Sequence, residues 1–182
     1  MDRTRHILLG ISGGIAAYKA VGLASRLTNA GHAVKTVMTA SACQLVQPRS
    51  FAAVTHHPVH TQLWCETEQQ DIEHISLVDW ADAMVVAPAT ANIMGKMAGG
   101  ICDDLLSTIL CVCWEKPLLL APAMNPRMWN NPRVQQNICT LKDMGVRFVG
   151  PESGVMACGD EGIGRLAEPE QIDAALQTML TE

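Results

Sequence analysis

Ile7-Leu8-Leu9-Gly10-Ile11-Ser12-Gly13-Gly14-Ile15-Ala16-Ala17-Tyr18-Lys19 joins a short branched apolar run to a glycine turn and then to residues of helical spacing. The opening run does not alternate apolar with polar, so it reads as a strand buried on both faces, as in parallel sheets. In the turn, small residues let a backbone approach a ligand. The amides at the helix start attract an anion, because a helix N-terminus acts as roughly half a positive charge. A phosphate suits that place, although a tight turn without a ligand would use the same residues. The spacing is neither G-x-G-x-x-G nor G-x-x-x-x-G-K-[ST], so an ordinary dinucleotide fold and a nucleotide hydrolase are both unsupported.

Working outward, the same alternation recurs. Strands are expected at 7–11, 34–38, 59–63, 84–87, 118–121 and 146–149. Helices are expected at 15–30, 75–80, 91–98, 104–114, 132–144 and 169–180. Gly31 and Gly145 fall where a left-handed cap precedes the next strand. With no internal repeat or linker, the 182 residues predict an α/β fold in a single domain over 1–182. The topology is a Rossmann-like doubly wound parallel sheet of about six strands, with ligands outside its carboxyl ends.

Composition narrows the function. Apolar residues make up 48% and charged ones 17%, which excludes disorder and points to subunit contacts. Thirteen Lys and Arg against 18 Asp and Glu give a net charge of -5 with no basic block, which speaks against nucleic acid. No signal-peptide pattern opens the chain, and no apolar run approaches the ~18–20 residues of a membrane span. The seven cysteines are odd in number and lack CxxC spacing, as reduced core thiols do. A cytoplasmic protein without a metal centre or membrane partner is expected.

The unusual residues gather at the expected carboxyl ends: Ser12-Gly13-Gly14, Thr39-Ala40-Ser41, Pro88-Ala89-Thr90-Ala91-Asn92 and Pro122-Ala123-Met124-Asn125. Thr90 and Asp103 are suited to cap the helices that follow them, or to form a polar wall for a ligand. Pro122 and Pro126 bracket Met124-Asn125 and stiffen the backbone there. The Asn125 amide offers two donors to a carboxylate without adding charge; an Asx turn before Pro126 is its other use. Segment 154–165 holds four glycines and Cys158, and reads as a mobile loop in which an exposed thiol needs a purpose. His74 is expected in the first turn of a helix, where the dipole disfavours the imidazolium; it reads either as a general base or as a solvated residue.

Several segments together resemble the flavin-dependent cysteine decarboxylase family: Ser12-Gly-Gly-Ile-Ala-Ala-Tyr-Lys19, His74-Ile75 before Trp80-Ala81-Asp82, Pro88 to Asn92, Asp103 to Thr108, Pro122-Ala-Met-Asn125 with Met128-Trp129, and Ala157-Cys-Gly-Asp-Glu-Gly-Ile-Gly-Arg165. The match runs essentially end to end. Leu45 departs from it, standing where an aromatic residue is common.

The resemblance implies FMN as cofactor and a homo-oligomer, a trimer or trimers grouped into a dodecamer, with flavin between subunits. By matching position it implies flavin contacts from Ser12, Gly13, Gly14, Ile15, Thr39, Ser41, Thr90, Ala91, Asn92, Ile93, Ser107 and Ala123. It also implies His74 as base, Asn125 as carboxylate grip with Met128 beside it, and Cys158 as the final proton donor.

Loss of carbon dioxide from an N-acylated cysteine leaves electrons on a carbon with no sink, beyond the ~10²–10⁴-fold that acid–base help supplies. The resemblance implies that the flavin creates the sink by oxidising the carbon bearing sulfur, through thioaldehyde and ene-thiolate intermediates. An intact Cys158 loop favours the complete redox-neutral cycle on 4'-phosphopantothenoylcysteine. The rival expectations are an oxidative decarboxylase of peptide C-terminal cysteine and a non-catalytic flavin-binding regulatory subunit. A flavin prenyltransferase of the same wider fold fits the His74, Asn125 and Cys158 set less well.

Overall fold

The computed structural model describes residues 4–64, 73–155, 159 and 161–181. Strand β1 (His6–Ile11) lies between β2 (Ala33–Met38) and β4 (Ala83–Ala89), and β5 (Leu118–Pro122) lies beyond β4. Two-residue strands β3 (Val59–His60) and β6 (Arg147–Phe148) close the edges in the order β3-β2-β1-β4-β5-β6. Every pairing is parallel. The expected doubly wound sheet is therefore present, with its topological switch between β1 and β4.

Burial explains why these runs lack alternation. All seven residues of β4 and all five of β5 are buried. In β1, Ile7, Leu9 and Ile11 face α1 (Ala17–Asn29), α3 (Pro48–Thr55) and α9 (Pro169–Thr181). Leu8 faces the opposite layer of α4 (Glu73–Trp80), α5 (Ala91–Gly99), α6 (Leu105–Val112) and α8 (Pro132–Asp143). Gly10 lets α6 close on the sheet, since a Cβ there would lie 2.7 Å from Leu106 Cδ1. Gly31 (φ 92) and Gly145 (φ 86) adopt the expected left-handed backbone.

Four differences have physical causes. Helix α3 is absent from the expected elements, although Pro48 at its first turn and buried Phe51 and Thr55 on one face mark it. Short helices α2 (Ala40–Cys43) and α7 (Pro126–Trp129) are single turns, too brief for periodicity to register. The helix expected over 104–114 ends at Val112 and passes into a 3₁₀ turn at Cys113–Glu115.

The described arms of the 154–165 loop form an antiparallel ribbon of β7 (Glu152–Val155) and β8 (Glu161–Arg165). Its glycines serve contact: Met124 N donates to Gly164 O at 3.0 Å, and a Cβ on Gly164 would lie 2.1 Å from Met124 O. Glycine erases the apolar alternation by which a strand is recognised.

Candidate active site

The switch point is stitched by one side chain. The buried Ser12 hydroxyl donates to Pro88 O at 2.7 Å and accepts from Thr90 N at 3.0 Å, tying the exit of β1 to that of β4. Its polar atom is thus engaged within the wall. Thr90 accepts from Ile93 N at 3.4 Å and caps α5, while Thr39 accepts from Ala42 N at 3.2 Å and caps α2. Three helix starts therefore converge on the edge where the sheet opens. The amides of Gly13, Ile15 and Ala16 meet no acceptor among the described residues, so they form a nest ready for an anion. Glycine at 13 is a matter of space, since a Cβ would lie 2.3 Å from Ser41 Cβ.

A cleft of about 1030 Å³ occupies this edge. Of the implied flavin contacts, Ser12, Gly13, Gly14 and Ile15 line it, as do Thr39, Ser41, Thr90, Asn92 and Ala123. Asn125 and Met128 line it as well. Ala91, Ile93 and Ser107 are not brought to it within this chain: Ile93 packs in the core, and Ser107 is 1% exposed. The Ser107 hydroxyl is occupied, bonding Asp104 N at 3.0 Å in a capping box in which Ser107 N donates to Asp104 Oδ1 at 2.8 Å. The cap of α6 is therefore Asp104, whereas Asp103 was the expected one. Asp103 instead pairs with Lys96 Nζ at 2.6 Å.

Lys96 also meets Asp104 at 2.7 Å. Burial raises the Asp104 carboxyl, but Lys96 and the Ser107 hydrogen bonds outweigh it and hold the group below its ordinary range. Burial likewise opposes the charge on Lys96, which Asp103 and Asp104 restore and carry upward. Stability from a lowered carboxyl is complete above the unfolded value near ~4 and lost as pH falls through the folded one. Asp104→Ala should therefore cost roughly 0.5–2 kcal/mol of capping energy at pH 7. Thermal melts should show a drop of about 2–4 °C per kcal/mol, with the gap from the parent shrinking below pH ~4.

Asn125 caps α7: its Oδ1 accepts from Arg127 N at 2.8 Å, the expected Asx geometry. That bond orients the amide and makes Nδ2 the donor end. His74 is half-buried in the first turn of α4, as expected, and its imidazole makes no hydrogen bond among the described residues. The start of α4 is anchored by a contact between Glu73 and His60 at the end of β3. His74 does not line the cleft of its own chain. Cys158 lies outside the described residues. The cleft also includes Lys19, Lys96 and Arg165, to which sequence reasoning gave no role. The signal for Arg165 was available, since a lone cation closes a strand ending in glycine-alternating residues.

The sequence model of the Flavoprotein family matches residues 1–181. The chain belongs to the flavoprotein family. This flavoprotein is 48% identical over 172 residues to the coenzyme A biosynthesis bifunctional protein CoaBC of Bacillus subtilis (strain 168). The match covers 94% of the chain and 42% of that relative, so the chain spans less than half of the relative's length. Among solved structures, it superposes on a cysteine-to-serine mutant of PPC decarboxylase complexed with pantothenoylaminoethenethiol, with a TM-score of 0.88 and 34% identity. Coverage there is 99% of this flavoprotein and 100% of the other chain. The FMN binding protein AtHal3 matches at a TM-score of 0.84 and 35% identity, over 97% and 96% of the two chains.

Proposed function

We propose that this flavoprotein binds FMN in the switch-point cleft and decarboxylates 4'-phosphopantothenoylcysteine to 4'-phosphopantetheine, a cytoplasmic step of coenzyme A biosynthesis. The observation that carries the reading is that the neutral amide of Asn125 and an unpartnered amide nest line one cleft. A nest, small residues and a largely apolar wall fit a flavin monophosphate: glycine at 13 lets the Ser41 segment close against the nest, where a Cβ would lie 2.3 Å from Ser41 Cβ. The Gly13, Ile15 and Ala16 amides and the Ser41 hydroxyl would hold its phosphate. When bound, FMN supplies the two-electron acceptor and return donor that the decarboxylation needs.

The chain's own groups do the rest. Asn125 grips the substrate carboxylate through its amide nitrogen. A lysine or arginine in that place would stabilise the charged ground state and oppose its departure as a neutral gas. Met128, 47% exposed at the cleft, covers the reacting carbon and excludes water. His74 manages the substrate proton, and it does so in the cleft of a neighbouring copy. Two features support this: α4 starts at the sheet edge that bears the cleft yet His74 is not in its own, and Ile15 (65%) and Tyr18 (64%) leave apolar surface exposed at the rim. A trimer, alone or grouped into a dodecamer, satisfies both. Cys158 returns a proton to the ene-thiol as the carbon–carbon bond is reduced.

Mass spectrometry of the product from 4'-phosphopantothenoylcysteine, with flavin absorbance followed in the same sample, tests the reading. The expected product has lost carbon dioxide and nothing else, from a yellow protein. A colourless protein that takes up no FMN, or turnover confined to peptide cysteines with the further loss of two hydrogens, would overturn it.

A further inference from the structure

The charges around the cleft are unevenly placed. On the α5–α6 wall, Lys96 is held between Asp103 at 2.6 Å and Asp104 at 2.7 Å, an excess of one negative charge. On the α1–β8 wall, Lys19 and Arg165 reach the same oxygen of one carboxylate, Glu168 Oε1, at 2.7 and 3.0 Å. Two cations and one carboxylate leave a positive excess there. The Glu168 carboxyl is held below its ordinary range, first by the Lys19 hydrogen bond, which burial opposes, and then by the Lys19 charge and by Arg165. A dianionic group entering the cleft is repelled by the first wall and drawn to the second.

Arg165 is built to receive it. It ends β8 opposite Glu152 in the ribbon, and Gly164 beside it is bonded to Met124 N at 3.0 Å, so its backbone is fixed to the strand exit that carries Asn125. Its side chain lies across Gly154, where a Cβ would come within 2.8 Å of both Cδ and Nη1. The missing side chain at 154 is the trough in which the guanidinium rests. Among the described residues that guanidinium donates to Glu168 alone, through Nη2, while 41% of the side chain stays accessible at the cleft. Arg165 lines the cleft and keeps donors beyond the one given to Glu168, in a planar five-donor fork whose shape matches phosphate oxygens.

We infer that Arg165 receives the phosphomonoester of the substrate and thereby selects the phosphorylated acyl-cysteine over its dephosphorylated form. The inference rests on the decarboxylase reading above and adds the residue that sets its substrate class. The substrate carboxylate is the wrong anion for this cation, because holding its charge opposes decarboxylation. The flavin phosphate already has the amide nest at the start of α1.

The test compares kcat/KM for 4'-phosphopantothenoylcysteine and for pantothenoylcysteine, using FMN-loaded protein and its Arg165→Gln and Arg165→Lys variants. Losing charge-assisted hydrogen bonds to a phosphate should lower the ratio of the two values by roughly 10–100-fold in Arg165→Gln, through KM. Arg165→Lys should recover part of it, since charge remains and the fork is lost. The preference of the parent protein should weaken with added salt more steeply than that of Arg165→Gln.

An unchanged ratio in both variants overturns the inference while leaving the decarboxylase reading in place. So does loss of flavin absorbance from Arg165→Gln, which would assign the guanidinium to the flavin phosphate. If Arg165→Gln fails to fold, the ratio measured for Arg165→Lys decides. Absence of turnover of either substrate by the parent protein overturns the decarboxylase reading, and this inference with it.

Discussion

His74→Asn is expected to lower carbon dioxide release by about 10²–10⁴-fold, the range that a positioned acid–base group contributes, while the protein stays yellow. The position tolerates the change. The His74 imidazole sits half-buried in the first turn of α4 and makes no hydrogen bond among the described residues, so no structural side-chain bond is lost. The helix start is secured instead by Glu73 and His60.

A second measurement separates a shared site from a local one. If His74 serves a neighbouring copy, mixing His74→Asn with Asn125→Asp subunits should return part of the activity that each lacks alone. The aspartate keeps the cap on α7, since its carboxylate still accepts from Arg127 N, but it repels the substrate carboxylate. Full activity in His74→Asn, measured as carbon dioxide released, would remove the histidine from the mechanism. Mixed subunits as inactive as their parents would place both residues in one chain's site.

Cys158→Ser should change the product rather than merely slow its formation. On the decarboxylase reading, reduction of the ene-thiol would need a proton at the carbon beside the one bearing sulfur, the role proposed for Cys158. Serine is a far weaker acid than a thiol, so the ene-thiol should accumulate with the flavin left reduced. Mass spectrometry should find a product two hydrogens lighter than 4'-phosphopantetheine, in amounts near one per flavin. Normal 4'-phosphopantetheine at the parental rate would exclude the thiol as donor.

Much of the scaffold was legible because burial on two faces leaves a plain mark. The runs around Leu8, Val85 and Leu119 have no polar face, and turn residues bound each of them. Gly31 and Gly145 announced their caps because only a residue without Cβ holds that backbone cheaply. The ribbon β7–β8 was illegible for the complementary reason: its glycines answer to Met124 and Pro126, residues far off in sequence. Asp103 and Asp104 could not be told apart by local pattern. Lys96 pairs with both of them, and the cap goes to Asp104 through its reciprocal bonds with Ser107.

The sequence by itself determined the parallel sheet, the edge at which ligand residues collect, the Asx turn open to Asn125 and the helix start that holds His74, since each follows from periodicity or from a turn within a few residues. Only the tertiary structure decided that Ser12 spends its hydroxyl on the β1–β4 seam, that Ser107 is closed within a capping box, that His74 stands outside its own cleft, and that Arg165 shares Glu168 with Lys19. Such assignments depend on partners 3 to 149 residues apart in the chain. A polar atom's role is fixed by the partner that reaches it, and the chain order does not record which one that is.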